Sequence, residues 1–374
     1  SLYAAKMETR SKGGSVADVL RKINLSAQNF TVHQEKTLRA LSYCRTAALG
    51  GHIDACDGCG NLSISYNSCR NRHCPQCQGH KKEEWIQKRE QELLPCSYYH
   101  VVFTLPEELN GLAISQPALL YKTLFEAAWA TLNQFGKNKG IQLGMIAILH
   151  TWGQNLSLHP HLHCIVPGGG INKQGKWRAK IKSDKYLFCV KAMSKVFRAK
   201  FVASLRASGI KDQNLIDQLF TKNWVVYAKR PFGGPKQVIE YLGRYTHKVA
   251  ISNHRIKEVT DHEVRFGYKD YRKEGQKKEM TLSNTEFVRR FSLHILPRRF
   301  VRIRHYGILS SSWKRGKLQD LQSDLKIQVT EVKPKTLLKK CRCCKEGNLV
   351  TIALFGQRGP PEDFLAVFNA SSAK

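Results

Sequence analysis

Residues 159–170 read His159-Pro160-His161-Leu162-His163-Cys164-Ile165-Val166-Pro167-Gly168-Gly169-Gly170. Side chains on a β-strand alternate between its two faces. As a strand, this stretch sends His161 and His163 one way and turns Leu162 into the core. Two imidazoles about 7 Å apart along one strand can converge on a single divalent metal ion. His159 falls on the same face, but Pro160 has no N–H and is expected to mark the strand's start. An H-x-H pair alone is equally a half-exposed strand without metal, so its meaning depends on the surrounding chain.

The neighbouring segments supply a fold. Residues 97–105 (SYYHVVFTL) read as a strand, Pro117 to Phe135 as an amphipathic helix, and 143–152 (LGMIAILHTW) as a second strand. After the HPHLH strand come a Gly-rich turn and a short basic hairpin at 176–180 (KWRAK). Val190 to Leu205 then reads as a helix, 223–230 (NWVVYAKR) as a strand and Pro235 to Lys248 as a helix. The order β-α-β-β-α-β, with an extra helix, predicts an α+β, ferredoxin-like sandwich with an antiparallel sheet. In it the two central strands form a hairpin that brings His150 beside His161. An open metal position needs fewer protein ligands than a closed one, so that substrate oxygens can enter. His150 is the best third ligand, followed by Gln154, His159 and His247; a hydrogen-bonded rim histidine is the plain alternative for His150.

Ahead of this unit, Ala17 to Ile23 is a short helical pattern. Val32 to Ala48 repeats apolar residues (Leu38, Leu41, Ala48) at helical spacing and ends at Gly50-Gly51. His52 to His80 is poor in large apolar residues and rich in cysteine, so a metal must replace the missing core. Lys81 to Leu94 is a charged helix. Beyond Lys248 lie a β-rich stretch, a short helix around Phe287, the basic run at 297–307 (PRRFVRIRHYG) and a tail of lower order. The expected divisions are 15–95, helical and zinc-binding; 96–250, catalytic; 251–310, a β-rich basic extension of the catalytic domain; and 311–374, a tail of uncertain order.

The 374-residue chain carries 61 Lys and Arg against 29 Asp and Glu, a formal net charge of +32. That excess points to a polyanionic partner, nucleic acid first. An anionic membrane is disfavoured by the lack of an 18-residue apolar run, a signal peptide or a lipidation motif, so the protein is expected to be soluble and cytoplasmic. Twelve cysteines are present, five of them between Cys56 and Cys77. Their C-x-x-C pairing, without an export signal, reads as metal binding rather than disulfides. Cys56/Cys59 and Cys74/Cys77 are two knuckles expected to hold one structural Zn²⁺ between four thiolates. Cys69 and His73 lie between them. They either fill a second site with His52, replace a knuckle thiol, or stand as a buried thiol and a DNA-facing histidine. Cys341, Cys343 and Cys344 read as half a knuckle, and no metal is expected there. Arg70 and Arg72, on a metal-pinned platform, suit phosphate or base contacts.

Residues 238–248 read VIEYLGRYTHK. On a helix Tyr241 and Tyr245 share one face about 6 Å apart, with Val238 and Leu242 on the buried side. Such pairs are commonly packing stripes, but Arg244, His247 and Lys248 surround this one with positive charge. A phenol becomes an effective nucleophile when a cation favours the phenolate and a metal polarises the phosphorus it attacks. A phosphotyrosine stores the energy of the broken phosphodiester, so strands can be rejoined without ATP, in keeping with the lack of a P-loop motif.

Taken together, CRTAALGGHIDACDGCG, YNSCRNRHCPQCQ, HTWGQNLSLHPHLHCIVPGGG, YLGRYTHKVAISN and FVRIRHYG resemble the HUH-type (His-hydrophobic-His) two-tyrosine rolling-circle transposases of bacteria, of the insertion-sequence-91 type, from about Ala17 to Gly307. The resemblance implies that His161 and His163 hold Mg²⁺ or Mn²⁺ at the scissile phosphate. It also implies that Tyr241 and Tyr245 are paired nucleophiles, and that the N-terminal zinc domain helps to bind transposon-end DNA. In-line attack is resisted by paired strands, so single-stranded or hairpin-flanking DNA is the expected substrate. Arg298, Arg299, Arg302 and Arg304 are phosphate-binding candidates along with Arg244 and Lys248. Tyr98, Tyr99, Trp152, Tyr268, Tyr271 and Tyr306 are candidate stacking platforms, most of them expected to be core. A homo-oligomer is compatible with the sequence, which carries no signature for or against one. A plasmid relaxase or rolling-circle replication initiator would share the chemistry, and a non-catalytic zinc-dependent DNA-binding protein is the third reading.

Overall fold

A computed structural model of the protein describes residues 14–77, 89, 92–179, 187–228, 237–238, 248–325 and 339–362. The strands are β1 Gly51–Cys56, β2 Leu62–Tyr66, β3 Tyr98–Thr104, β4 Gly144–Trp152, β5 Leu158–Pro167, β6 Gly169–Ile171, β7 Trp177–Ala179, β8 Val226–Ala228, β9 Ile256–Val259, β10 Glu263–Asp270, β11 Gln276–Ser283, β12 Ile303–Gly307 and β13 Leu349–Phe355. The α-helices are α1 Val16–Arg21, α2 Val32–Ser42, α3 Asn110–Ser115, α4 Pro117–Lys137, α5 Val190–Ala207, α6 Gln213–Thr221, α7 Asn284–Ser292 and α8 Lys317–Asp324.

The central sheet has the order β12-β4-β5-β3-β8, antiparallel throughout. Strands β3 and β4, joined through α4, run parallel with β5 inserted between them, and β8 closes the far edge after α5. This is the split β-α-β arrangement of a ferredoxin-like fold. The alternation along β5 follows its sequence. Leu162, Cys164 and Val166 face a core shared with Phe103, Phe125, Phe197 and Phe201, where α4 and α5 cover the sheet. Pro117 begins α4 at a position where its missing N–H costs nothing. On the opposite face, Ile165 packs with Tyr98, Ile146, Ile148 and Val238.

Strand β5 begins at Leu158, two residues before Pro160. His150 stands opposite His161 and Trp152 opposite Leu158, so β5 carries one extra residue between them. The proline therefore sits in a bulge, where no ladder hydrogen bond needs its N–H. Gly307 ends β12 with φ +57, and a Cβ there would lie 1.9 Å from the Leu143 carbonyl oxygen, so only glycine fits this crossing.

Several expected boundaries shift. The helix expected to run to Ala48 ends at Ser42; Arg45 takes a left-handed φ of 58 and Ala47–Leu49 form a separate 3-10 turn. Capping boxes at Ser15/Asp18 and Thr31/Gln34 start α1 and α2. The stretch 251–310 is not one extension of the catalytic sheet. Strands β9–β11 and α7 enclose a second core with α1 and α2, centred on Val19, Leu38, Phe266 and Phe287. The basic run instead contributes β12 to the edge of the main sheet. Within the tail, β13 adds to β1 and β2 as a three-stranded sheet. Most of the helix expected at 81–94, and of that at 235–248, lies outside the described residues. Among those residues no helix is long and apolar enough to cross a membrane.

Candidate metal centre

His161 and His163 project from β5 onto the face away from α4 and α5, and His150 projects from β4 directly opposite His161. One ring nitrogen from each of the three lies within 4.8 Å of the others. The ring centroids are 4.6 Å apart for His150 and His163, 4.9 Å for His161 and His163, and 5.5 Å for His150 and His161, with interplanar angles of 67–86°. His150 and His163 are buried, whereas His161 is half-buried, so among the described residues the group is open on the His161 side.

The hydrogen bonds fix which nitrogens point inward. His161 Nδ1 lies 2.6 Å from the His159 carbonyl oxygen, and a ring nitrogen facing a carbonyl must carry the proton. Its Nε2 is left as a lone-pair donor. His163 Nδ1 contacts His100 Nε2 at 2.9 Å, with the two rings stacked at 5.1 Å; the remaining His163 nitrogen is again Nε2. Burial holds His161 down to about 4 and His163 well below the ordinary histidine range, with the charges of neighbouring groups, Lys248 included, adding to both. An all-imidazole donor set suits a divalent transition ion, and suits Mn²⁺ better than Mg²⁺, which prefers oxygen ligands. Three protein donors with one open side is the arrangement of a reactive rather than a sealed site.

Trp152 stacks on His150 at 4.5 Å, and the Arg302 guanidinium sits 5.7 Å above the Trp152 ring. Burial lowers Arg302 to about 10, followed by repulsion from Arg72. His159 is exposed and stands outside the three-histidine group. His100 is a residue the sequence reading missed. Its signal was its place in a strand that would pair with HPHLH, since Val102, two residues on, lies opposite His163.

The cysteines do not pair as expected. Cys56, Cys59, Cys74 and Cys77 do not share one site. Cys74 and Cys77 join Cys69 and Cys44, while Cys56 and Cys59 join Cys341 and Cys344. The reason is the β1–β2 hairpin. Cys44 precedes it and Cys69 follows it, at the end where Gly51 pairs with Tyr66. Cys56 lies at the other end of β1, about 17 Å away at 3.3 Å per residue. In the first group, Sγ separations are 3.5 Å for Cys44–Cys77, 3.5 Å for Cys44–Cys74 and 3.6 Å for Cys69–Cys77. Four thiolates at Zn–S distances of about 2.3 Å stand about 3.8 Å apart, so this donor set fits zinc.

His73 is not in either group. It is buried and receives a 3.3 Å hydrogen bond from Arg72 Nε, and burial with the charges of Arg72 and Arg302 takes it to about 3. Arg72 is not a DNA-facing side chain: its guanidinium donates to the carbonyls of Phe300, Pro297 (2.9 Å) and Leu296 (3.4 Å), fastening the cysteine-rich segment to the chain entering β12. Arg304 lies over the rings of Phe125 and Phe300 at 4.3 and 5.1 Å, on the helix side of the sheet. Arg70, Arg298, Arg299 and Lys248 are exposed. Tyr98 and Tyr99 are core, and Tyr306 stacks on Trp129; Tyr271 is 71% exposed. Tyr241, Tyr245, Arg244 and His247 lie outside the described residues.

A ferredoxin-like antiparallel sheet with an H-x-H pair on its central strand, behind a cysteine-rich unit, defines the HUH type of transposase. Comparison with known proteins narrows this. Residues 144–317 match a family described as "Putative transposase", and residues 16–105 match one described as "Transposase zinc-binding domain". The putative transposase y4qJ of Sinorhizobium fredii (strain NBRC 101917 / NGR234) is 41% identical over 93% of this chain and 98% of its own. The transposase for insertion sequence element IS801 of Pseudomonas savastanoi pv. phaseolicola is 28% identical over 74% of this chain and 70% of its own. The chain belongs to the IS91-type transposase family. A solved conjugative relaxase, TrwC, in metal-bound complex with oriT DNA, covers 62% of this chain and 73% of its own at 13% identity and a TM-score of 0.25; the fold assignment rests on the strand order instead.

Proposed function

We propose that this transposase cuts and rejoins single-stranded DNA at transposon ends through a tyrosine-linked intermediate, as in rolling-circle transposition. The observation that carries the reading is the convergence of His150, His161 and His163, the two on β5 having Nε2 turned inward. A divalent cation held by the three, Mn²⁺ or Mg²⁺, would polarise the scissile phosphate. His100 and the His159 carbonyl keep the β5 rings oriented, and β4 and β5 fix their spacing. Tyr241 and Tyr245 are the proposed nucleophiles. The described residues on either side of them support this: Val238 is buried on the histidine face of the sheet, and the charge of Lys248 reaches His161 and His163.

In the proposed step the tyrosine Oη–P bond forms as the P–O3′ bond breaks. The phenolic proton leaves, the departing 3′ oxygen takes one up, and the 5′ phosphate stays on the tyrosine. Attack by a 3′ hydroxyl reverses the sequence and joins strands. Lys248, Arg298 and Arg299, all exposed, offer positive charge for the DNA backbone, within a chain of net charge +32. The cysteine-rich unit would hold Zn²⁺ and contribute to end recognition. The test is incubation with end-containing single-stranded DNA and Mn²⁺, read on a denaturing protein gel. A covalent adduct lost only when both Tyr241→Phe and Tyr245→Phe are present is expected. An adduct that survives the double substitution, or DNA binding with no adduct, overturns the proposal.

A further inference from the structure

We propose that Cys56, Cys59, Cys341 and Cys344 bind a second structural zinc ion, which clasps the C-terminal strand onto the N-terminal sheet. The two family matches end at residues 105 and 317 and so leave Cys341 and Cys344 unassigned. The inference is independent of the cutting chemistry.

The four sulfurs lie within 4.8 Å of one another. Cys56 and Cys344 are 3.6 Å apart and Cys59 and Cys341 are 3.8 Å apart, the spacing of a zinc tetrahedron, about 3.8 Å. A disulfide would need about 2.05 Å. Both halves are C-x-x-C knuckles, since Cys343 is a spacer in Cys341-Arg342-Cys343-Cys344. They are also built alike. Gly60 N–H donates to the Cys56 carbonyl at 3.0 Å, and Lys345 N–H to the Cys341 carbonyl at 3.1 Å. Gly60 and Lys345 each take the left-handed conformation that closes the turn, φ 70 and 63. Backbone N–H groups then aim at the sulfurs: Gly58 and Cys59 at Cys56 Sγ (3.4 and 3.5 Å), Cys343 at Cys341 Sγ (3.3 Å) and Gly347 at Cys344 Sγ (3.3 Å). Such donors favour thiolates. Gly347 is required by the closeness of the halves, because a Cβ there would lie 2.4 Å from Cys56 Sγ.

The segment needs such a fastening. Strand β13 pairs with β1 from Gly51–Phe355 to Cys56–Leu349, yet its apolar side chains are poorly covered: Val350, Ile352 and Leu354 are 47, 50 and 81% exposed. Little hydrophobic burial holds it there. A ladder, the Asp54–Thr351 and Asp57–Asn348 hydrogen bonds and a metal do.

Metal analysis of the full-length protein, by native mass spectrometry and elemental quantification, is expected to find two zinc ions per chain outside the histidine centre. Cys341→Ser with Cys344→Ser is expected to leave one, with amide exchange in residues 349–355 at least about tenfold faster and that of residues 144–152 unchanged. Cys343→Ser should keep both. One zinc in the wild-type protein, iron in its place, or two zinc ions retained by the double variant overturns the inference. The wild-type count decides the matter if the double variant does not fold.

Discussion

The three-histidine group and the Cys44/Cys69/Cys74/Cys77 group solve opposite problems. The histidines stand on two adjacent strands of a sheet packed on both faces, so the fold places the donors before any metal arrives. The cysteines come from a helix end and two turns within a segment short of large apolar residues, so there the metal would have to place the chain. The first has three donors and an open side; the second has four and is closed. Removing a donor should therefore cost activity in one case and structure in the other.

The largest effect is expected for Cys74→Ser. Zinc binding at a structural site is worth about 10–16 kcal/mol, as much as the roughly 5–15 kcal/mol that stabilises a domain. Loss of one zinc ion with collapse of the N-terminal near-UV circular dichroism is expected; a native spectrum would erase the contrast. His161→Ala with His163→Ala should lower covalent DNA adduct formation by about 100–1000-fold while the melting transition and zinc content persist. Brief EDTA treatment should act likewise and be reversed by Mn²⁺, since the open centre exchanges its ion before the closed ones. If chelation melts the protein at the same rate as it stops adduct formation, the two sites are not different in kind.

His100→Ala sharpens the contrast further, as His100 touches the donor His163 and not the metal. Mn²⁺ affinity, followed by titration, should fall about 10–100-fold, with recovery in His100→Gln and the same adduct yield once Mn²⁺ saturates. The smallest effect is expected for Arg72→Ala, which removes the guanidinium from the carbonyls of Leu296, Pro297 and Phe300, the first two of which keep a donor in His33 and in the Phe300 N–H. A loss of about 1–3 kcal/mol in thermal or denaturant unfolding is anticipated, with DNA affinity reduced less than by Arg298→Ala plus Arg299→Ala.

The histidine sheet was legible in the sequence because its determinants are local. Alternation around Leu162 fixes the faces of β5, and a short connection from β4 fixes His150 against His161. The cysteine pairing was not legible, because ligand choice is set by distance in space. A hairpin of a six- and a five-residue strand separates two knuckles that sequence spacing alone would join, and Cys44 carries no C-x-x-C signal at all. The basic residues misled for a similar reason. Arg72 and Arg304 look like any other cation in the sequence, and only the carbonyls and rings around them show that their charge is spent inside the molecule. Strand β12 was hidden within the basic run, since its pairing with β4 depends on a partner more than a hundred residues earlier.

The pairing of β13 with β1 has a consequence for synthesis. Cys56 and Cys344 are 288 positions apart, so at about 5–20 residues per second the ribosome needs roughly 15–60 s to deliver one after the other. Within that interval the strands of the histidine sheet are made, the last of them by residue 307, while the first sheet of the molecule still presents an open edge. A chain that stopped between residues 307 and 349 would thus carry all five strands of the histidine sheet while β1 and β2 lacked the strand that covers their edge.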